Sequence, residues 1–279
     1  MKIGMNLLLW TAKVTAAHDP LLADLKKTGY DGVEIPVFEG SSAEYKILGA
    51  KLRDLGLGAT AVTVMAPECS PISPDAKVRQ AAVDRLKWVL DRSAEFGAEV
   101  LCGPLHSPLG VFSGTAPTYD ERRRGAETLH KVAEHAAAVK ITLALEYLNR
   151  FEAYFLTTAA DAVQLADRIN HPACGVMWDT FHAHIEEKDP AAALAGMQRR
   201  LVHVHLSEND RGTPGTGQVN WPATFSTLRR LNYDRWVVIE AFGRTLPDLA
   251  AATRVWRDLF ADPRDVYTQG LAFIRNRLR

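Results

Sequence analysis

Four side chains of metal-ligand type, Glu146, Asp179, His205 and Glu240, stand at or near the C-terminal ends of short apolar runs. Carboxylates and imidazoles hold divalent cations and also take up and return protons near neutral pH. If the runs are parallel strands of a closed barrel, their C-terminal ends ring one mouth, where groups about a hundred positions apart meet at one ion. The set then reads as a catalytic metal site.

Side-chain alternation along each run tests this reading, because only every second residue of a strand faces the barrel interior. In the fifth run Leu143, Leu145 and Tyr147 take the outer face and leave Thr142, Ala144 and Glu146 inside. In the eighth, Val237, Ile239 and Ala241 face out, and Val238, Glu240 and Phe242 face in. The seventh places Val202, Val204 and Leu206 outside, with His203 and His205 inside. Asp179 ends the sixth run, whose Val176 and Trp178 suit either face. One acid at a strand end reads as a loop salt bridge or a helix cap. Four such groups in consecutive strands, three of them in agreeing phase, read as a shared cation, because a buried carboxylate without compensation is costly. Three carboxylates and one imidazole favour Mn2+, with Mg2+ or Co2+ as alternatives, over a tetrahedral structural zinc.

The elements that would position these groups alternate throughout. Eight β-type runs (residues 3–9, 32–37, 59–64, 100–105, 141–147, 175–180, 201–206 and 236–242) are separated by amphipathic helical patterns, as expected of repeated βα units. Ser73 before Pro74 reads as a helix start, Thr118 with Glu121 as a capping box, and Thr158 with Asp161 as another start. Helical patterns over 221–231 and 249–259 follow, and a last one carrying Tyr267, Leu271, Ile274 and Leu278 predicts an extra C-terminal helix that covers the barrel or joins a neighbour. No GxGxxG turn follows the first run, which argues against a dinucleotide site. The fold predicted is a single (β/α)8 barrel domain over residues 1–279.

Composition narrows the function classes. Lys plus Arg balance Asp plus Glu at 33 each, so nothing in the charge suggests nucleic acid or an anionic membrane, and a small molecule fits better. Three scattered cysteines, with no CxxC, suit a reducing compartment. No apolar run approaches the ~20 residues of a membrane span, and the opening stretch is too short for a signal segment. A soluble cytoplasmic protein is expected. His182 belongs to the loop after the sixth run, within reach of a ligand at the mouth. His106 is a weaker candidate, His184 reads as a helix-start residue, and His203 as a second-layer barrel residue. The Gly-rich stretch 211–217 reads as a flexible turn rather than an anion cradle.

The segments Leu145-Glu146-Tyr-Leu-Asn149-Arg150-Phe-Glu152, Trp178-Asp179-Thr-Phe-His182, His203-Val-His205 through Arg211, and Ile239-Glu240-Ala-Phe242 resemble the ketose 3-epimerase family of the xylose-isomerase-like barrels. The resemblance spans nearly the whole chain, and the Asn-Arg-Phe-Glu run is its most specific part. It implies one Mn2+ or similar ion on Glu146, Asp179, His205 and Glu240, with Glu152, His182 and Arg211 contacting the substrate. It also implies a homodimer or homotetramer acting on a free ketose of the D-tagatose, D-fructose or D-allulose type. On this reading Glu146 and Glu240 are the acid and base that invert C3 through a cis-enediolate. An aldose–ketose isomerase would use the same metal site. An apurinic-type endonuclease would need more ligands at strand ends than Glu34 and Glu68 provide. A non-catalytic sugar-binding barrel would not need to keep both glutamates.

Overall fold

Val, Ile, Leu and Ala dominate eight short runs whose two faces are both buried, the pattern of parallel strands covered by helices. In the computed structural model, which describes residues 1–278, these runs are β1 (Lys2–Asn6), β2 (Gly32–Pro36), β3 (Gly58–Val62), β4 (Ala98–Gly103), β5 (Thr142–Glu146), β6 (Cys174–Asp179), β7 (Leu201–Leu206) and β8 (Trp236–Ile239). All neighbours pair in parallel, and β8 returns to β1, so the sheet closes into a barrel in sequence order. Around it run α1 (Asp19–Thr28), α2 (Ser42–Leu55), α3 (Ala76–Phe96), α4 (Tyr119–Ala138), α5 (Ala159–Ile169), α6 (Thr180–Glu186), α7 (Pro190–Gly196), α8 (Trp221–Arg230), α9 (Pro247–Thr253) and α10 (Pro263–Leu278). The barrel is the predicted (β/α)8 fold.

Several boundaries move for local reasons. β1 stops three residues before the expected end, because the Asn6 side chain accepts from Leu8 N at 2.8 Å and starts a 3-10 turn over Leu7–Leu9. β8 ends at Ile239, which leaves Glu240 one residue past the strand, its amide still donating to Leu206 O at 3.3 Å. α3 is capped by Asp75, which accepts from Lys77 N at 2.8 Å, and Ser73 serves the Asp75 amide instead. The capping box of Thr118 and Glu121 opens α4 as predicted, and Thr158 caps α5.

One face assignment is corrected. Val202 was expected on the outer face of β7, but the pairing with β6 slips between Leu201 and His203, a bulge that sets two β7 residues against one. Val202 therefore joins the barrel interior with Val62, Val100, Cys102, Ala144, Met177 and Val238. Beneath them the Trp236 indole plugs the floor. A Cβ on Gly32 would meet the ring at 2.5 Å and Gly58 O at 2.3 Å, so only glycine fits there.

The helices that follow β8 also differ from expectation. The pattern over 249–259 yields only α9, ended by Arg254 in the left-handed conformation at φ 58°. α9 lies at the mouth, where Leu246, Pro247 and Leu249 share a cavity with Leu8 and Phe38. α10 fills the wall over β8. Its Gly270 sits against Ile239, Tyr30 Oη donates to Tyr267 O at 2.8 Å, and Phe273 meets the Trp221 ring at 5.4 Å. The C-terminal helix thus covers the barrel between α1 and α8.

Candidate metal and acid–base centre

Four neighbouring strands deliver the groups singled out by type and phase. Glu146 ends β5, Asp179 ends β6, His205 lies in β7, and Glu240 directly follows β8. All four are buried, and one ligand-type atom from each lies within 4.8 Å of the others. His205 Nδ1 is 3.3 Å from Glu240 Oε1 and 3.7 Å from Asp179 Oδ2. Arg211 Nη1 donates to Glu240 Oε2 at 2.7 Å and to Asp179 Oδ2 at 3.1 Å.

Burial and crowding set the electrostatics. Burial, reinforced by the neighbouring Glu240 charge, pushes the Glu146 carboxyl well above the usual carboxylate range. Burial alone would raise Asp179 as well, but the Arg211 guanidinium holds it below that range. For His205 burial is overcome by Glu34 and Glu240, which raise the imidazole well above its ordinary value. Glu152 is raised by burial. Ionised together, Glu146, Asp179, Glu240 and Glu152 would outnumber the single guanidinium, an excess that a divalent cation would compensate.

The donor set fits a hard divalent cation on a specific observation. His205 Nε2 lies 2.7 Å from Glu34 Oε1, whereas buried Nδ1, surrounded by carboxylate oxygens, has no hydrogen-bond partner. Without an ion the raised imidazole keeps a proton on Nδ1; a divalent cation would displace it and take that nitrogen among the three carboxylates.

The three residues implied as substrate contacts surround this cluster. Arg211 belongs to the loop after β7 at φ 68°, with its guanidinium carbon 3.7 Å from the Phe181 ring centre and 4.9 Å from that of Phe242. Its loop is not the flexible turn expected of residues 211–217. The buried Glu208 carboxylate accepts from Gly215 N at 2.8 Å and from Val219 N and Trp221 Nε1 at 3.1 Å, so the turn is tied to its own acid. His182 is also placed differently. Asp179 accepts from Phe181 N at 2.6 Å and starts α6 at once, so His182 rides on the first helical turn instead of a loop. Burial lowers its imidazole to about 3, so the ring is neutral. Its Nδ1 accepts from Asn149 N at 3.0 Å, and Asn149 Nδ2 donates to Glu152 Oε1 at 2.8 Å. Glu152 therefore reaches His182 through Asn149.

Sequence reasoning passed over Asn149 and Asn6, whose roles depend on partners far along the chain, and Ser207, which accepts from Arg211 Nη1 at 3.1 Å. Glu34 carried a legible signal as an acid in phase on the second run, but it lies beneath the site, bonded to His203 and His205, and Glu68 is exposed. Neither enlarges the four-residue set. His203 occupies the second layer, and His106 is buried with Nε2 2.8 Å from the Glu146 carbonyl oxygen.

A closed parallel barrel presents its active site at the C-terminal mouth of its strands, where this acidic, histidine-bearing cluster lies. The chain belongs to the xylose isomerase-like TIM barrel family, whose model matches residues 22–277, and within it to the ketose 3-epimerases. It is 32% identical to the ketose 3-epimerase of Arthrobacter globiformis, with 100% of this chain and 97% of that one covered. It is 31% identical to the D-psicose 3-epimerase of Agrobacterium fabrum, covering 93% and 91%. The solved D-allulose 3-epimerase from Methylomonas sp. in complex with D-allulose superposes with a TM-score of 0.93 at 26% identity, covering 99% and 97%. The protein is accordingly a carbohydrate epimerase, with a buried site able to hold a metal. No helix among the described residues is long and apolar enough to cross a membrane.

Proposed function

We propose that the chain inverts C3 of a free ketose of the D-tagatose, D-fructose or D-allulose type, with Glu146, Asp179, His205 and Glu240 holding one divalent ion, Mn2+ in the first instance. The observation that carries this reading is the placement of two carboxylates. β5 and β8 stand three places apart in the closed ring, so Glu146 and Glu240 approach a sugar held between them from different sides. A bound ion supplies Lewis acidity that weakens the C3–H bond and stabilises negative charge on the sugar oxygens.

One glutamate removes the C3 proton, and the C–H electron pair becomes the C2–C3 double bond of a cis-enediolate. The other glutamate delivers a proton to the opposite face of C3 as the C2 carbonyl reforms. The two exchange roles with the direction of reaction. The Asn149 amide makes His182 Nδ1 an acceptor, so this neutral ring carries its proton on Nε2, 3.1 Å from Arg211 Nη2. Two donors at that separation suit a single sugar oxygen near C1 or C2, with Arg211 adding positive charge where the enediolate develops. Glu152 holds Asn149 and through it the His182 ring.

Incubation with D-fructose and Mn2+ in deuterated water tests the reading. Allulose carrying deuterium at C3 is the expected product, and glucose or mannose would assign proton transfer to C1 and C2 instead. Phe151 and Trp256, 62% and 71% exposed beside the mouth, support the self-associating homodimer or homotetramer, which light scattering tests.

A further inference from the structure

Beneath the four-residue set lies a second buried group that takes no part in the proton transfers described above. Glu34 is fully buried, and five donors converge on its carboxylate. Oε1 lies 2.7 Å from His205 Nε2 and accepts from Asn6 Nδ2 at 3.0 Å. Oε2 receives Thr60 Oγ1 at 2.8 Å, His203 Nε2 at 2.9 Å and the Cys102 thiol at 3.2 Å. The same Asn6 amide also donates to Glu240 Oε1 at 3.1 Å.

Glu34, Cys102, His203 and His205 have the residue types of a second metal set. Their atoms that face Glu34 are instead turned onto its carboxylate, and a carboxylate ringed by five donor groups has no oxygen lone pair left for an ion. The arrangement is a socket. An ionised carboxylate accepts only, so the His205 nitrogen facing it must carry a proton, and in the neutral ring the lone pair then lies on Nδ1, among Asp179 and Glu240. Asn6 meanwhile engages one oxygen of Glu240.

We infer that Glu34 and Asn6 are positioning residues of this centre, Glu34 setting the tautomer and ring orientation of His205, and Asn6 fixing the Glu240 carboxylate. The inference rests on the metal-site reading above and adds two residues that touch neither ion nor substrate. Glutamine at position 34 keeps the size but can turn an amide donor toward His205, which moves the ring proton to Nδ1 and removes that ligand.

The test is calorimetric titration of Mn2+ into metal-free protein, with histidine 15N spectra of the Mg2+-loaded protein to read the tautomer. Glu34→Gln should weaken Mn2+ binding about ten- to a hundredfold, the usual cost of losing a partner behind a ligand. The His205 Nε2 signal should lose its N–H character. Cys102→Ser, which keeps a donor, should bind within about twofold of the parent. Asn6→Ser, which retains an oxygen for the Leu8 amide, should lower kcat at least about tenfold with Mn2+ affinity little changed. If Glu34→Gln does not fold, Glu34→Asp, which withdraws the carboxylate from His205, is read by the same titration and spectra, and parental affinity and tautomer in it overturn the role of Glu34. A folded Glu34→Gln protein with parental affinity and tautomer overturns the role of Glu34, and an Asn6→Ser protein with parental kcat overturns that of Asn6. Failure of the parent itself to bind Mn2+ would sink the metal reading instead.

Discussion

At the residue scale the centre brings together groups that would be costly apart. Glu146, Asp179 and Glu240 repel one another in a buried space, and Arg211 is the cation that the chain itself contributes. Glu240→Gln keeps the shape and removes the proposed acid or base, so kcat should fall at least about 100-fold, measured as initial rates of fructose-to-allulose conversion. Arg211→Ala should raise KM and lower kcat while leaving one equivalent of metal per chain by elemental analysis, because Arg211 is not among the four ligand-type groups. Loss of the metal in that variant would move Arg211 from substrate binding to holding the ligands together.

At the element scale Glu146, Asp179 and Glu240 sit where a strand ends. Asp179 ends β6 and caps α6 with the same carboxylate, so the strand-to-helix turn carries both a ligand-type group and, three residues on, His182. The loop between β7 and α8 is shaped by Glu208, whose three long-range acceptor bonds wrap the chain around it and hold Arg211 at a positive φ. Glu208→Ala should cost at least about 3 kcal/mol in urea unfolding, since buried donors lose a charged acceptor. The same variant should raise KM more than it changes Mn2+ affinity. Unchanged stability and KM would show that the loop holds itself in place.

At the scale of the whole molecule the barrel gathers acidic groups from distant parts of the chain into one place able to hold a cation. Metal removal by chelation should therefore abolish epimerisation and lower the melting temperature, and added Mn2+ should restore both. At a metal concentration a hundredfold above Kd, linkage predicts about 2.7 kcal/mol of stabilisation. Scanning calorimetry with and without Mn2+ checks this, and an unchanged transition would argue against an ion at the centre. α10 closes the wall over β8, donates from Tyr267 Oη to Asp24 of α1, and reaches the residue that ends α1 through Arg275 and the Gly29 carbonyl, so both ends of the chain share one packing layer.

The sequence by itself determined the ring and the phase of β5 and β8. Period-two alternation in β5 and β8 marked Glu146 and Glu240 as inward, and βα alternation in a chain of this length favours a closed barrel over an open sheet. Helix caps such as Thr118 with Glu121 were legible because both partners lie within one turn. Only the tertiary structure decided what depends on contacts between distant residues. The bulge that turns Val202 inward comes from β6 pairing with β7. The service of Asn6 to Glu240 spans 234 positions, and that of Glu34 to His203 spans 169. Hydrophobic period and local capping are short-range signals, whereas which donor meets which acceptor inside a barrel is set only once all eight strands have closed.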